Sequence, residues 1–189
     1  IISQVGVALD IHLDAPNDLA GEINGERMHF LHRGATFISS VLSGNNSSER
    51  TRKDWHRQID RFYKLFKRFP DGINSHQHIH FWPPFFRHAI DIATQYNAPF
   101  IRFGGQGIPL KLSPVSHTLA LLNLGNRRAF HASRLQSTDQ LVSFDWLKHP
   151  DTFFAASNHA SGSNKTTEVI CHPKHDREFE FLRHLRQKA

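Results

Sequence analysis

The sequence predicts an α/β domain built on parallel strands, and three observations carry that expectation. Short apolar segments alternate with amphipathic helical ones in the order strand, helix, strand, helix. Four residues able to do chemistry, His12, His76, Arg102 and His172, fall at or near the ends of four different predicted strands, where open α/β sheets and barrels gather functional groups. The chain has 189 residues, 39% of them hydrophobic and 16 of them Phe, enough for one domain with a substantial core.

The elements follow in order. Residues 5–13 alternate as a strand that ends near His12, and a breaker cluster at Asp14, Ala15, Pro16 and Asn17 closes it. Residues 18–47 read as a long loop with a short helix. Residues 49–69 are the clearest helix: Trp55, Ile59, Phe62, Phe66 and Phe69 form one stripe, Ser48 suits the N-cap, and Pro70-Asp71-Gly72 stops it. A short strand is expected from Ile73 to His76, then a helix opened by Pro83 and Pro84 with Phe86, Ile90 and Ala93 on its apolar face. Residues 98–103 read as strand, 113–123 as helix, 140–144 as strand, 145–157 as helix, 166–173 as strand and 177–187 as helix. The stretch 157–165 reads as a flexible loop.

Composition narrows the function. The single cysteine, Cys171, excludes an internal disulfide framework and favours a reducing, cytoplasmic setting. No run reaches the roughly 18 apolar residues of a membrane span. The net charge of +6 sits in short clusters at 49–53, 126–128 and 183–188. These fall on predicted helices or their ends without a nucleic-acid motif, so solvated helix faces are expected rather than a nucleic-acid partner. The first residues already read as mid-strand, and the chain opens on Ile; the natural protein is expected to begin earlier.

The 15 histidines are the unusual count. In "NSHQHIHFWPP", His76, His78 and His80 recur at every second position, one face of a strand if the strand runs that far. Two imidazoles and a carboxylate make a metal site with open positions, and His12 with His76 is the best pair. On one ion their nitrogens would stand roughly 3–4 Å apart. His172 could donate a proton, and Arg102 could hold an oxyanion or orient a carboxylate; for each, a structural strand-end role is an equal alternative. Cys171 and His172 are adjacent and point to opposite faces of a strand, which argues against a nucleophilic pair and makes Cys171 a core residue.

The segments "VALDIHLD", "INSHQHIHFWPP", "PFIRF" and "EVICHP" resemble, in order and approximate spacing, the motifs of the YdjC-like carbohydrate deacetylases, over residues 1 to about 175. The resemblance implies a (β/α) TIM-like barrel variant. It also implies metal-dependent removal of N-acetyl groups from amino-sugar oligosaccharides, with Mg²⁺ the usual metal. By that resemblance His12 and His76 bind the metal and His172 lines the site. Three departures stand out. The family's Asp-Asp pair, one residue a ligand and the other a general base, does not occur here, so the chain is expected to start downstream of it, lacking the barrel's first strands. Asn74 replaces an Asp, which still allows its oxygen to orient an imidazole. Asp10 replaces a Gly, and Asp10 or Asp14, on the same strand face as His12, could instead supply the carboxylate. His78 and His80 are expected beyond the strand's end, orienting His76 or touching substrate.

Two alternatives remain open. One is another metal hydrolase of the amidohydrolase or phosphoesterase type, using His76 with His78. The other is an inactive sugar-binding remnant. The ligand softness of two imidazoles favours Zn²⁺ over Mg²⁺. The expected partner is an N-acetylated amino-sugar oligosaccharide, with a homodimer left open.

Overall fold

Alternation in the first strand decides what the sheet presents on each side. In β1 (Asp10–Leu13), Ile11 and Leu13 are buried while Asp10 and His12 are exposed. The computed structural model describes residues 8–14, 48–83, 85–104, 114–147, 149, 165–172 and 175–188. The chain clusters into two compact units, Ile1–Arg102 with Leu124–Ser137, and Phe103–Asn123 with Thr138–Ala189.

In the first unit, β1 pairs in parallel with β2 (Gly72–Ser75), setting Asp10 beside Gly72, His12 beside Asn74 and Leu13 beside Ser75. β2 pairs in parallel with β3 (Phe100–Ile101). The order β1-β2-β3 follows the chain, as expected when each helical crossover lays the next strand beside the last. Asp71 fastens the entrance of the sheet. Its carboxylate accepts the Leu9 N–H at 2.7 Å and pairs with Arg68, while its main chain bonds to Leu9 O and to the Phe100 N–H. A Cβ at Gly72 would press on Asp10 Oδ1 and lie 2.9 Å from Phe100 Cδ1, so those side chains would have to shift.

Helix α1 (Ser48–Phe66) buries Thr51, Trp55, Ile59 and Phe62, and each of the three large apolar side chains contributes roughly 1.5–3 kcal/mol by leaving water. The stripe expected to run to Phe69 ends at Phe62; Phe66 and Phe69 are 44% and 41% exposed. Lys67 then takes the left-handed conformation at φ 56°, its N–H bonded to Tyr63 O at 2.8 Å, and the helix ends before Phe69.

β2 ends one residue earlier than expected, and His76 opens a 3-10 helix, His76–Phe81, instead of closing the strand. A helix of this kind repeats every three residues, so the strand alternation does not carry through His78 and His80. Helix α2 (Phe85–Gln95) then buries Phe85, Phe86, Ala89, Ile92 and Ala93. β3 is shorter than the expected 98–103 because ladder pairing covers two residues of it.

Helix α3 (Pro114–Ser133) runs ten residues beyond the expected end at Asn123, passing through Gly125, where a Cβ would meet nothing within 4 Å. In the second unit, β4 (Gln140–Ser143) pairs in parallel with β5 (Thr167–Ile170), and helix α4 (Asp176–Lys188) follows. Of the helix expected over 145–157, a 3-10 turn covers Phe144–Trp146 and the part from 150 onward lies outside the described residues, as do the loop over 18–47 and most of 157–165. The architecture is mixed α/β with parallel strands. Among the described residues the strands form sheets of three and two, not a closed barrel.

Candidate metal centre

The exposed face of β1 carries Asp10 and His12, and Asp14 follows in the same period. Helix α1 fixes Asp14 from behind: Trp55 Nε1 and Gln58 Nε2 donate to its carbonyl at 3.1 and 2.8 Å, and Gln58 Oε1 accepts its N–H at 2.8 Å. One strand over, His76 leaves the end of β2. The donor atoms of His12, Asp14 and His76 all lie within 4.8 Å of one another. The two rings meet edge to face, with centroids 5.7 Å apart and planes at 84°. Two donors about 2.1 Å from one ion stand at most about 4.2 Å apart. Small side-chain adjustments therefore let two imidazoles and a carboxylate close on one divalent cation, a donor set suited to such an ion.

His12 is prepared for this role. Asn74 Oδ1 accepts a hydrogen bond from His12 Nδ1. That fixes the tautomer with Nε2 unprotonated and available to a metal. The ring touches solvent, yet enough of it is enclosed that desolvation lowers its pKa below 6.5. The Asn74 bond opposes that shift, the positive charges of Arg102 and His76 add to it, and Asp14 opposes it. The balance keeps the imidazole neutral, the form a metal requires.

Behind the pair, His80 is fully buried and fully bonded. Its Nε2–H donates to Arg102 O at 2.7 Å, which makes Nδ1 an acceptor for the Ser75 hydroxyl at 2.6 Å. Ser75 Oγ in turn accepts the His80 N–H at 3.0 Å. Burial pushes the His80 pKa down to about 3, with the Arg102 and His12 charges adding and the bond to Arg102 O opposing. This network ties the end of β2 to Arg102, whose N–H donates to Ile73 O at 2.9 Å. His78 sits between, left-handed at φ 57°, its pKa held well below 6.5 first by burial and then by His80, Arg102, His12 and His76.

Of the residues singled out from sequence, the structure thus brings His12, Asp14 and His76 together, with Asn74 on His12 and Arg102 close enough for its charge to act on His12. Neither His78 nor Asp10 belongs to the donor group; Asp10 packs over Gly72. His80 is turned inward. Ser75 and Gln58 were not singled out: the Ser75–His80 bond depends on the 3-10 turn, which residue spacing did not reveal.

His172 stands in the second unit, just past β5, with its side chain 46% exposed. Glu178 Oε2 accepts its N–H at 2.5 Å and lies 3.4 Å from Nδ1. The half-buried Cys171 thiol is pushed up in pKa by burial and then by Glu178, which leaves it protonated and unreactive. No described helix is long and apolar enough to cross a membrane.

The family model described as YdjC-like protein matches residues 13–188. No curated protein matches the chain. Among solved structures, a protein from Enterococcus faecalis V583, provisionally described as a cellobiose-phosphate cleavage protein, superposes with a TM-score of 0.50 at 19% identity. The match covers 91% of this chain and 62% of that one, so this chain spans under two thirds of that protein's length.

Proposed function

This chain belongs to the YdjC-like protein family, and we propose from that premise that it serves metal-dependent hydrolysis of N-acetyl groups on amino-sugar oligosaccharides. The observation that carries the reading is the donor set of His12, Asp14 and His76 at the ends of adjacent parallel strands, with the His12 tautomer fixed by Asn74. Sequential strand order and functional groups past strand ends fit a (β/α) barrel variant.

His12 and His76 would hold the ion, with Asp14 as the carboxylate. A divalent ion there supplies Lewis acidity, polarising an acetamide carbonyl and acidifying water. Family resemblance favours Mg²⁺, and the two imidazoles favour Zn²⁺. Arg102 adds positive charge near His12, useful where an oxyanion develops. The departing amine must be protonated as the C–N bond breaks, and by the family resemblance His172 is the candidate for that proton.

Acetate release from N-acetylglucosamine oligomers tests the reading. With Mg²⁺ or Zn²⁺ supplied, metal-dependent release that His76→Ala abolishes is expected of the full-length protein. Oligosaccharide binding with metal bound and no acetate released would make the protein a sugar-binding module instead.

A further inference from the structure

We propose that Gln58 is the positioning residue for the carboxylate of the metal centre, its amide standing in for a neighbouring strand so that Asp14 is held on the His12 face. The inference rests on the reading of His12, Asp14 and His76 as metal donors, and it assigns what keeps the third of them in place.

The ladder between β1 and β2 ends at the pair Leu13 and Ser75, so Asp14 lies one residue past it. Ala15 and Pro16 follow directly, and proline breaks a strand. A residue just beyond a ladder is free to turn, and its side chain then leaves the face that alternation would give it. Helix α1 prevents this. Gln58 Oε1 accepts the Asp14 N–H at 2.8 Å, and Gln58 Nε2 donates to Asp14 O at 2.8 Å. One side-chain amide thus exchanges both bonds with one residue, as the two members of an antiparallel hydrogen-bonded pair do. The pattern also fixes the amide's orientation, because a flipped amide would set N–H against N–H and oxygen against oxygen. Trp55, fully buried one turn earlier on the helix, donates to the same carbonyl at 3.1 Å. The strand period is so extended by one residue, and Asp14 falls in line with Asp10 and His12. Its carboxylate then lies within 4.8 Å of the donor nitrogens of His12 and His76.

Calorimetric titration of Zn²⁺ into the protein, Gln58→Leu, Asp14→Ala and the double variant tests this. Gln58→Leu keeps a good helix former and removes both bonds; it should weaken Zn²⁺ binding by about 10–100-fold. In the Asp14→Ala background the same substitution should have little further effect, because no carboxylate is left to position. A merely structural loss would weaken binding equally in both backgrounds; that result, or unchanged affinity in Gln58→Leu, would overturn the proposal. The Asp14 main-chain amide gives a metal-free readout: its hydrogen exchange should be slower in the unmodified protein than in Gln58→Leu. If the unmodified protein binds no ion, the metal reading itself fails, and the exchange still decides the clamp: equal rates in the two proteins would overturn it.

Discussion

Replacing His80 by Phe keeps an aromatic ring in a fully buried site and removes both of its side-chain hydrogen bonds. Arg102 O then loses its donor and the Ser75 hydroxyl loses its acceptor. Each buried group left unpaired costs about 1–3 kcal/mol, so His80→Phe should destabilise by about 2–6 kcal/mol at pH 7. That penalty should shrink in acid. His80 titrates near 3 in the folded protein against an ordinary 6.5, so between those values the unfolded chain binds the extra proton and the wild type loses stability as pH falls. At pH 4, about 2.5 pH units below the unfolded value and above the folded one, the loss is roughly 3 kcal/mol at 1.36 kcal/mol per unit. The Phe variant has no such term. Urea unfolding of both proteins at pH 7 and pH 4 measures it as the change in their difference. An equal penalty at both pH values would refute a buried, neutral His80.

Asn74→Leu removes the acceptor on His12 Nδ1 and should weaken metal binding by about 10–100-fold, read by calorimetric titration. Gly72→Ala drives a methyl into Asp10 and Phe100 and should cost about 1–3 kcal/mol in denaturant unfolding. Gly125→Ala, in open space within α3, should stabilise by about 0.5–1 kcal/mol, read as a raised Tm.

Much of the sheet was legible because its cues are local. Ile11 and Leu13 alternate with His12, and the breakers around Asp14 and Gly72 bracket the strands. His12 and His76 stood out because chemistry-bearing residues at strand ends are visible without a structure. Asp14 could be read only as an option, since its placement depends on Trp55 and Gln58 some forty residues away. Lys67 escaped because a left-handed lysine carries no sequence signature, unlike glycine. The Ser75–His80 bond and the Glu178–His172 contact each join residues across a tight turn, and turn geometry is not spelled by residue type. α3 outruns the expected 113–123 because the apolar run that marks it thins after Asn123 while the helical backbone continues to Ser133.

The central question is whether one ion binds at His12, Asp14 and His76. Titrating Zn²⁺ and Mg²⁺ into the protein and into His12→Ala, His76→Ala and Asp14→Asn, followed by calorimetry, measures this without any assay of activity. One ion per chain is predicted, with affinity lost in either histidine variant and reduced in Asp14→Asn. Stoichiometric binding that survives His12→Ala and His76→Ala, or no binding by the unmodified protein, would contradict it.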